Sequence, residues 1–379
     1  MEERQTTLPE TPAPEMPATS RRAGSTGIQA GLKLALGLYV FIGALQVMKA
    51  GAGSLAETLT GGGFGSFLTD NAGSTFGLGW LMAMVVLSGT PVVATALSLT
   101  ASQPPVLTEL EGFTMVTGGR MGAAFIVLLV GVMFALRGGA GERVKAVSTA
   151  VLALTITAVM YVPGAAIGIA LLRWQGFDDA GFTFPGSFGG LLEVAYGWLL
   201  ELVESWPPAL LFLGGIALVV VSLRVLDSIV PKMDEHRFEG RLQWLQSKWP
   251  MFFLGLVVVV LTLSVSVALT VLVPLVHKKY VKRENLIPYI VGADIGTLID
   301  KLLVALLLDS EVATRIILAE IIGVAIVGVA IMVFAYQPFK QATWRFQRQM
   351  VRSKPRLAMF TAALFIVPIS IVIISGVVA

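Results

Sequence analysis

The sequence contains no cysteine, only two histidines and few charged residues. Without cysteine the chain has no disulfide bond and no thiolate metal site. His236 and His277 fall in charged segments near the ends of apolar runs, where we expect solvated side chains and no metal site. Charged residues make up 13% of the chain and hydrophobic residues 55%. This balance excludes an ordinary soluble protein, in which about a quarter of the residues are charged.

The sequence contains long apolar runs with few charged residues. The mean hydropathy is +0.82, and several runs reach about 20 residues, which is enough to cross a lipid bilayer as helices. No run shows the alternation expected of outer-membrane strands. The sequence therefore predicts an all-α polytopic membrane protein. Its net charge of +3 comes from basic residues in short loops, which set orientation in the membrane and indicate no nucleic-acid partner.

The two ends of the chain differ in character. Residues 1–27 are rich in Pro, Thr and Glu and lack an apolar segment, so we predict a disordered tail and not a signal peptide. Residues 28–379 are predicted to form one membrane domain. The positive-inside rule places the loop between the last two apolar runs in the cytoplasm. Counting back from it predicts a multi-pass protein of the cytoplasmic cell membrane with a cytoplasmic N terminus. The basic residues of this acid-free loop are Lys340, Arg345, Arg348, Arg352, Lys354 and Arg356.

Two stretches of the chain echo each other. Residues 87–124 are a degraded form of residues 263–301. Each stretch opens on a serine-containing motif and reaches a glycine-rich motif further on, at Gly118 in the first and at Gly292 in the second. The distance along the chain from the start of the stretch to that glycine is nearly equal in the two copies. This near-equal spacing predicts an internal duplication.

The charges that flank the two stretches have opposite signs, so we expect the two halves to be inverted in the membrane. Repeat one spans about 33–136 and repeat two about 207–310, with additional C-terminal helices at 311–379. Each repeat is predicted to hold a re-entrant hairpin, at 81–100 or 252–276, and a broken transmembrane helix. Inverted repeats with broken helices are a recurring design of secondary transporters.

Polar side chains interrupt the apolar runs at corresponding places. Ser264 and Ser266 lie in one run, and the next run holds the glycine-flanked Asp294, with Asp300 about one turn past the Gly296 break. In the first half, Arg120 occupies the position that Asp294 occupies in the second. Because charges inside hydrophobic runs are costly, they mark a pathway or a binding site by default.

Four short motifs carry a family resemblance. Leu263-Ser264-Val265-Ser266 and Gly292-Ala293-Asp294-Ile295-Gly296-Thr297 resemble the type II sodium-dependent phosphate cotransporter family, including its bacterial members. That family carries, twice, a Gln-Ser-Ser-Ser motif followed by Gly-Ala-Asn-Ile-Gly-Thr-Thr. Leu87-Ser88-Gly89-Thr90 and Gly118-Gly119-Arg120-Met121-Gly122-Ala123 are weaker matches. Here both glutamines, one serine of each half and both asparagines are replaced.

The resemblance implies a membrane transport domain for secondary active symport of inorganic phosphate by alternating access, with sodium as the coupling ion and no other cofactor. Hard cations such as sodium take oxygen ligands, although hydroxyls in membrane helices also bond their own backbone or a neighbouring helix. The residues expected at the substrate are Ser88, Thr90, Arg120, Ser264 and Ser266. The residues expected at the coupling ion are Ser264, Ser266, Thr270, Asp294, Thr297 and Asp300.

Several alternatives stay open at this point. Arg120 and Asp294 either serve the substrate, since a guanidinium suits a phosphate or carboxylate, or form a static salt bridge. Asp300 is a second intramembrane acid and a candidate proton carrier, which leaves proton-coupled and uncoupled transport open. The alternatives to sodium–phosphate symport are a carrier of another small anion without sodium coupling and a non-transporting membrane scaffold. The oligomeric state is open too, with a homo-oligomer as one option.

An enzyme is not expected. An intramembrane aspartyl protease needs two carboxylates that share a proton at close range, whereas Asp294 and Asp300 lie on one segment and not on facing segments. The chain also contains no Gly-x-x-x-x-Gly-Lys loop to cradle a nucleotide phosphate. An ATP-driven pump within this chain is therefore excluded.

Overall fold

The fold is helical, as the long apolar runs predict. The computed structural model describes residues 32–33, 35–51, 71–129, 140–183, 187–227, 247–262 and 283–378. Within these ranges there is no strand, and the all-α prediction is confirmed for them. The predicted tail at 1–27 and the hairpin residues Ser264, Ser266 and Thr270 lie outside the described residues.

The described elements include two 3₁₀ turns, Gln175–Ala180 and Arg283–Asn285. Residues 125–129 continue the fourth helix after a turn at Ala124. In chain order the helices are α1 Ala35–Gly51, α2 Ala72–Val86, α3 Thr90–Ala101, α4 Glu109–Ala123, α5 Ala140–Leu172, α6 Ser187–Val203, α7 Pro208–Asp227, α8 Lys248–Thr262, α9 Leu286–Gly296, α10 Ile299–Leu307, α11 Glu311–Phe334, α12 Tyr336–Val351 and α13 Lys354–Val378.

Four of the described helices are long and apolar enough to cross a membrane. They belong to α4, α5, α11 and α13 and cover Glu109–Leu129, Val147–Leu172, Glu311–Phe334 and Lys354–Val377. The other apolar helices are shorter, and two of them border the predicted interruptions. The inverted orientation of the repeats and the re-entrant hairpins stay predictions.

The first interruption lies between α2 and α3. Leu87 ends α2 in the left-handed region with φ 57°, a conformation uncommon for an aliphatic residue. After Ser88 and Gly89 the chain re-enters a helix at Thr90, with Pro91 in the first turn, where a missing N–H costs nothing. The apolar run at 81–100, whose Ser88-Gly89-Thr90-Pro91 sequence is typical of a helix break, is interrupted at these residues. It leaves α3 with 12 residues, too few to cross a bilayer alone.

The second interruption lies between α9 and α10. Helix α9 ends at Gly296 after 11 residues, Thr297 and Leu298 form a turn, and α10 starts at Ile299. The backbone N–H of Thr297 still donates to the carbonyl of Ala293. The helix break predicted at the glycine-flanked aspartate is therefore confirmed.

Glycine contacts bring α4 very close to α2. A Cβ built on Gly118 would lie 1.9 Å from the backbone oxygen of Phe76, and one on Gly122 would lie 2.0 Å from that of Trp80. In the opposite direction, a Cβ on Gly79 would lie 2.2 Å from the oxygen of Met115. Small residues at such crossings let helix backbones touch in a membrane.

The same crossing occurs between α8 and α9. A Cβ on Gly292 would lie 1.9 Å from the backbone oxygen of Phe252, and one on Gly255 would lie 2.1 Å from that of Tyr289. A Cβ on Gly296 would lie 2.8 Å from the backbone oxygen of Leu256.

The two crossings are related by nearly the same shift along the chain. Gly79 and Gly118 of the first pair correspond to Gly255 and Gly292 of the second. The shift from Gly118 to Gly292 is slightly shorter than the shift from Gly79 to Gly255. In the same way, the motif spacing is slightly shorter in the second stretch than in the first. Two helix pairs with the same glycine–carbonyl contacts therefore flank the two breaks.

Helices α5 and α11 pack against both pairs and against each other. Gly323 of α11 approaches the backbone oxygen of Gly164 of α5, where a Cβ would lie 2.2 Å away. At the start of α11, Arg315 forms a two-bond ion pair with Glu109 of α4, at 2.5 and 2.8 Å, and donates to the backbone oxygen of Asp178 at 2.8 Å. These contacts fix α11 to the first helix pair.

We predict that Gly118→Ala and Gly292→Ala each destabilise the protein by about 1–3 kcal/mol, the usual cost of overpacking, because the new methyl group would meet a backbone carbonyl. The control is Gly214→Ala in α7, where nothing lies within 4 Å of the added Cβ. Thermal unfolding in detergent measures the three variants. Equal melting temperatures for Gly118→Ala and Gly214→Ala would contradict the close crossing.

Candidate functional site

Five charged side chains are buried among the described residues, all less than one tenth exposed. They converge from α4, α9, α10 and α11. Burying a charge without a partner costs several kcal/mol, so the partners of each side chain define the chemistry of this cluster. The five residues, called the buried charge cluster below, are Arg120, Asp294, Asp300, Lys301 and Glu320.

Arg120 reaches from α4 to the second break. Its Nε donates to the hydroxyl of Tyr161 at 3.1 Å, and its Nη2 donates to Oγ1 of Thr297. Its guanidinium carbon lies 5.4 Å from the centre of the Tyr161 ring, a cation–π distance. The arginine thus joins α4 to α5 and to the turn between α9 and α10.

Asp294 completes this network from α9. Its backbone carbonyl accepts from the hydroxyls of Tyr161 at 3.0 Å and Thr297 at 2.7 Å. Its carboxylate Oδ2 accepts from Thr157 of α5 at 2.9 Å. The carbonyls and hydroxyls near the break are therefore bonded to each other, as buried polar groups require.

Arg120 and Asp294 are neighbours without forming an ion pair. Both belong to the described residues, and the described ion pairs do not include one between them. The link runs through Tyr161 and Thr297, which are neutral. The static salt bridge, one of the two alternatives above, is not formed in this structure. Within the described ranges, the guanidinium is consequently held in place by hydroxyls and contacts no carboxylate.

A second group of polar contacts ties the first break to α10. Lys301 pairs with the carboxylate of Asp300 and donates to the hydroxyl of Thr90 at 2.7 Å. Thr90, the first residue of α3, in turn donates to Oδ2 of Asp300 at 3.0 Å. The start of α3 is thereby fastened to the start of α10.

The two groups are adjacent. Gly89 directly precedes Thr90, and a Cβ on Gly89 would lie 3.5 Å from Nη1 of Arg120. Thr297, which accepts from Arg120, lies one helical turn before Lys301. The breaks of the two repeated stretches therefore meet at one place, with a guanidinium and an ammonium between them.

Glu320 is a site residue that sequence reasoning missed. It lies in the middle of α11 and has no exposed surface. Its Oε2 accepts from Thr117 at 2.9 Å, and Thr117 lies on α4 one turn before Arg120. The sequence does indicate this residue, because burying an acid inside the apolar helix Glu311–Phe334 is as costly as burying one at position 294.

The other missed partners, Tyr161 and Thr157, come from α5, which belongs to neither repeated stretch. A hydroxyl in an apolar helix gives little sequence signal, since most such groups bond their own backbone. Lys301, which directly follows Asp300 in the sequence, also lies outside the predicted set of site residues.

The structure brings together five of the predicted site residues. Ser88 lies partly buried in the turn after α2, and its hydroxyl makes no hydrogen bond to the cluster within the described part of the chain. Ser264, Ser266 and Thr270 fall outside the described residues. Three of the five, Arg120, Asp294 and Asp300, belong to the buried charge cluster, and the other two, Thr90 and Thr297, are hydrogen-bonded to it.

Comparison with known proteins gives one match. Residues 218–354 match the Na⁺/Pi-cotransporter family model. This segment, which includes both motifs of the second half, is similar to the sodium–phosphate cotransporter family. The resemblance seen in the motifs is confirmed. No curated protein and no solved structure matches the chain.

The matched segment contains most of the buried charge cluster. Asp294, Asp300, Lys301 and Glu320 lie inside it, whereas Arg120 lies outside, in the half with the weaker motifs. A transporter family together with apolar membrane-length helices indicates a membrane protein. The cluster offers cations for an anion, and carboxylate, hydroxyl and carbonyl oxygens for a hard cation.

We predict that Lys301→Met destabilises the protein by about 3–5 kcal/mol, because it leaves the buried carboxylate of Asp300 without its cation. The double variant Asp300→Asn/Lys301→Met removes both charges and should recover a large part of that loss. The shift of the unfolding transition in detergent measures each variant.

The matched control is Lys340→Met, which breaks the 2.8 Å ion pair to Glu284 at the protein surface. Such pairs contribute about 0–1 kcal/mol. If Lys301→Met unfolds at the same temperature as Lys340→Met, the pairing inside the cluster does not carry the energy assigned to it.

Proposed function

We propose that the protein is a secondary active transporter that couples sodium to the uptake of inorganic phosphate, with the buried charge cluster as its binding site. One observation carries the proposal: the guanidinium of Arg120 is positioned at the meeting point of two helix breaks, and no carboxylate of the described residues is in contact with it. The match of residues 218–354 to the Na⁺/Pi-cotransporter family supports both solutes.

The anion is proposed to bind between Arg120 and Lys301. A guanidinium presents a planar fork of N–H donors that matches two phosphate oxygens, and the lysine adds a compact charge. Hydroxyls of Ser88 and Thr90 lie at the same break, and Ser264 and Ser266 are proposed to complete the site from the second hairpin. Binding would exchange the neutral hydroxyl partners of Arg120 for charged oxygens.

Sodium is proposed to bind next to the anion, at oxygens of the second half. Asp300 lies in the buried charge cluster and Thr297 lies beside it. Asp294 supplies both a carboxylate and a backbone carbonyl near the break. Carbonyls freed at helix breaks are the usual ligands of coupling ions in transporters built this way. Ser264, Ser266 and Thr270 are the remaining proposed ligands.

Alternating access is proposed to occur by rearrangement of the broken helices. Helices α3, α9 and α10 are too short to cross a bilayer, and Thr90, Asp300 and Lys301 hold α3 to α10. Opening the site to one side would separate these contacts, and bound ions would compensate for them. We place the protein in the cytoplasmic membrane with its N terminus in the cytoplasm, because the exposed cations of α12 favour that side.

The test is phosphate uptake by proteoliposomes driven by an inward sodium gradient, with potassium as the comparison. We expect Arg120→Gln to lower uptake by about tenfold or more, since a hydrogen bond to a charged group contributes about 1.5–3 kcal/mol. Arg348→Gln, an exposed change on α12, is the control and should leave uptake within about twofold, because isolated surface charges contribute little.

The other outcomes separate the alternatives. Uptake that proceeds equally in potassium would indicate an anion carrier without sodium coupling, and preference for sulfate would change the substrate. No uptake, together with a melting temperature that no ion raises, would support a membrane scaffold, because a ligand bound only by the native state stabilises it.

A further inference from the structure

The buried charge cluster contains one acid more than it has cations. Its cations are Arg120 and Lys301, and its acids are Asp294, Asp300 and Glu320. With every group ionised, the cluster would carry a net negative charge inside an apolar helical assembly. An uncompensated charge in such surroundings is costly, and the described residues supply no third buried cation to offset it.

The contacts show which acid lacks compensation. Asp300 pairs directly with Lys301. Asp294 accepts from Thr157 and shares a hydroxyl network with Arg120. Glu320 has a single hydrogen-bond partner among the described residues, the hydroxyl of Thr117, and its Oε1 has none although it is fully buried.

The described elements packed against α11 at this level offer no cation in contact with Glu320. Its electrostatic neighbours include Arg120 and Tyr161, but neither makes a hydrogen bond or ion pair with it. Helix α3 contains no ionisable side chain. The buried ionisable groups described on the neighbouring elements are Arg120 of α4, Tyr161 of α5, Tyr289 and Asp294 of α9, and Asp300 and Lys301 of α10.

We propose that Glu320 is a proton-binding site, and that the proton on its carboxyl group supplies the missing positive charge of the cluster. A protonated carboxyl is neutral, so burying it costs far less than burying the carboxylate. Sodium fits this position poorly, because it needs several oxygen ligands and the described contacts of Glu320 supply only the hydroxyl of Thr117.

Transport adds a second part to this proposal, which rests on the proposed function. When the site opens to one side of the membrane, the carboxyl group releases its proton to that solution and becomes a carboxylate. When the site is open to the other side, the carboxylate takes up a proton from that solution before the site closes. One proton would then move with each cycle in addition to the ions bound between the two breaks.

The protonation is tested by infrared spectroscopy of the full-length protein in lipid at neutral pH. We expect the C=O stretch of a protonated carboxylic acid in the wild type, shifted in D₂O, and lost in Glu320→Gln. The control is Glu311→Gln, because Glu311 lies on the same helix and is exposed, so the band should remain. A band that survives in Glu320→Gln would overturn the proposal, as would one that sodium removes from the wild type.

Thermal unfolding gives an independent measurement. The native state would bind one proton more than the unfolded state above about pH 4.3, the ordinary pKa of glutamate. The unfolding equilibrium should therefore shift toward the unfolded state by up to about tenfold per pH unit as pH rises through this range. Glu320→Gln should lack this component and Glu311→Gln should keep it; equal pH dependence in all three proteins would contradict the proposal.

Proton movement is followed with a pH-sensitive dye inside proteoliposomes during phosphate uptake. We expect a proton flux with the wild type and none with Glu320→Gln, and a flux retained in that variant would refute the coupling. If the infrared band is present but no phosphate enters with the wild type, the proposed function fails while the proton site stands.

Discussion

The cost of placing charge in an apolar interior is the constraint on which this structure depends. Among the described residues, five charged side chains lie inside the helical assembly, and the helix breaks, threonines and tyrosine around them are what make their burial tolerable. The breaks release backbone carbonyls, and hydroxyls connect those carbonyls to Arg120. In a bilayer, irregular backbone survives only where protein or a cavity covers it. The charged cluster and the broken helices therefore stabilise one another.

The position of the cluster follows from two close helix crossings. Helices α2 and α4 touch through glycine and carbonyl groups, and α8 and α9 do the same at corresponding glycines. Each crossing holds a glycine-flanked charged residue, Arg120 or Asp294, at a matching place. Helices α5 and α11 then bring Tyr161, Thr157 and Glu320 from outside the repeated stretches. The two helix pairs thus position Arg120 and Asp294, and helices α5 and α11, which lie outside the pairs, supply the remaining side chains.

Local features of the chain could be predicted from its sequence, whereas long-range pairings could not. The interruptions at residues 88–91 and after Gly296 follow from glycine and proline chemistry within a short segment. That Arg120 and Asp294 would lie close together followed from their matching positions, but the hydroxyls between them come from segments distant from Arg120 in the chain. Glu320 could not be found by matching repeated motifs, because it lies on a helix outside both repeated stretches.

The glycine–carbonyl crossings also bear on how such a protein changes over evolutionary time. Where a backbone oxygen occupies the place of a missing Cβ, side chains are excluded at a few positions. The first helix pair has the same glycine–carbonyl contacts as the second, although the family match covers residues 218–354 and leaves the first pair outside it. The two helix pairs are consequently more alike in the distances between their backbones than in the identities of their motif residues.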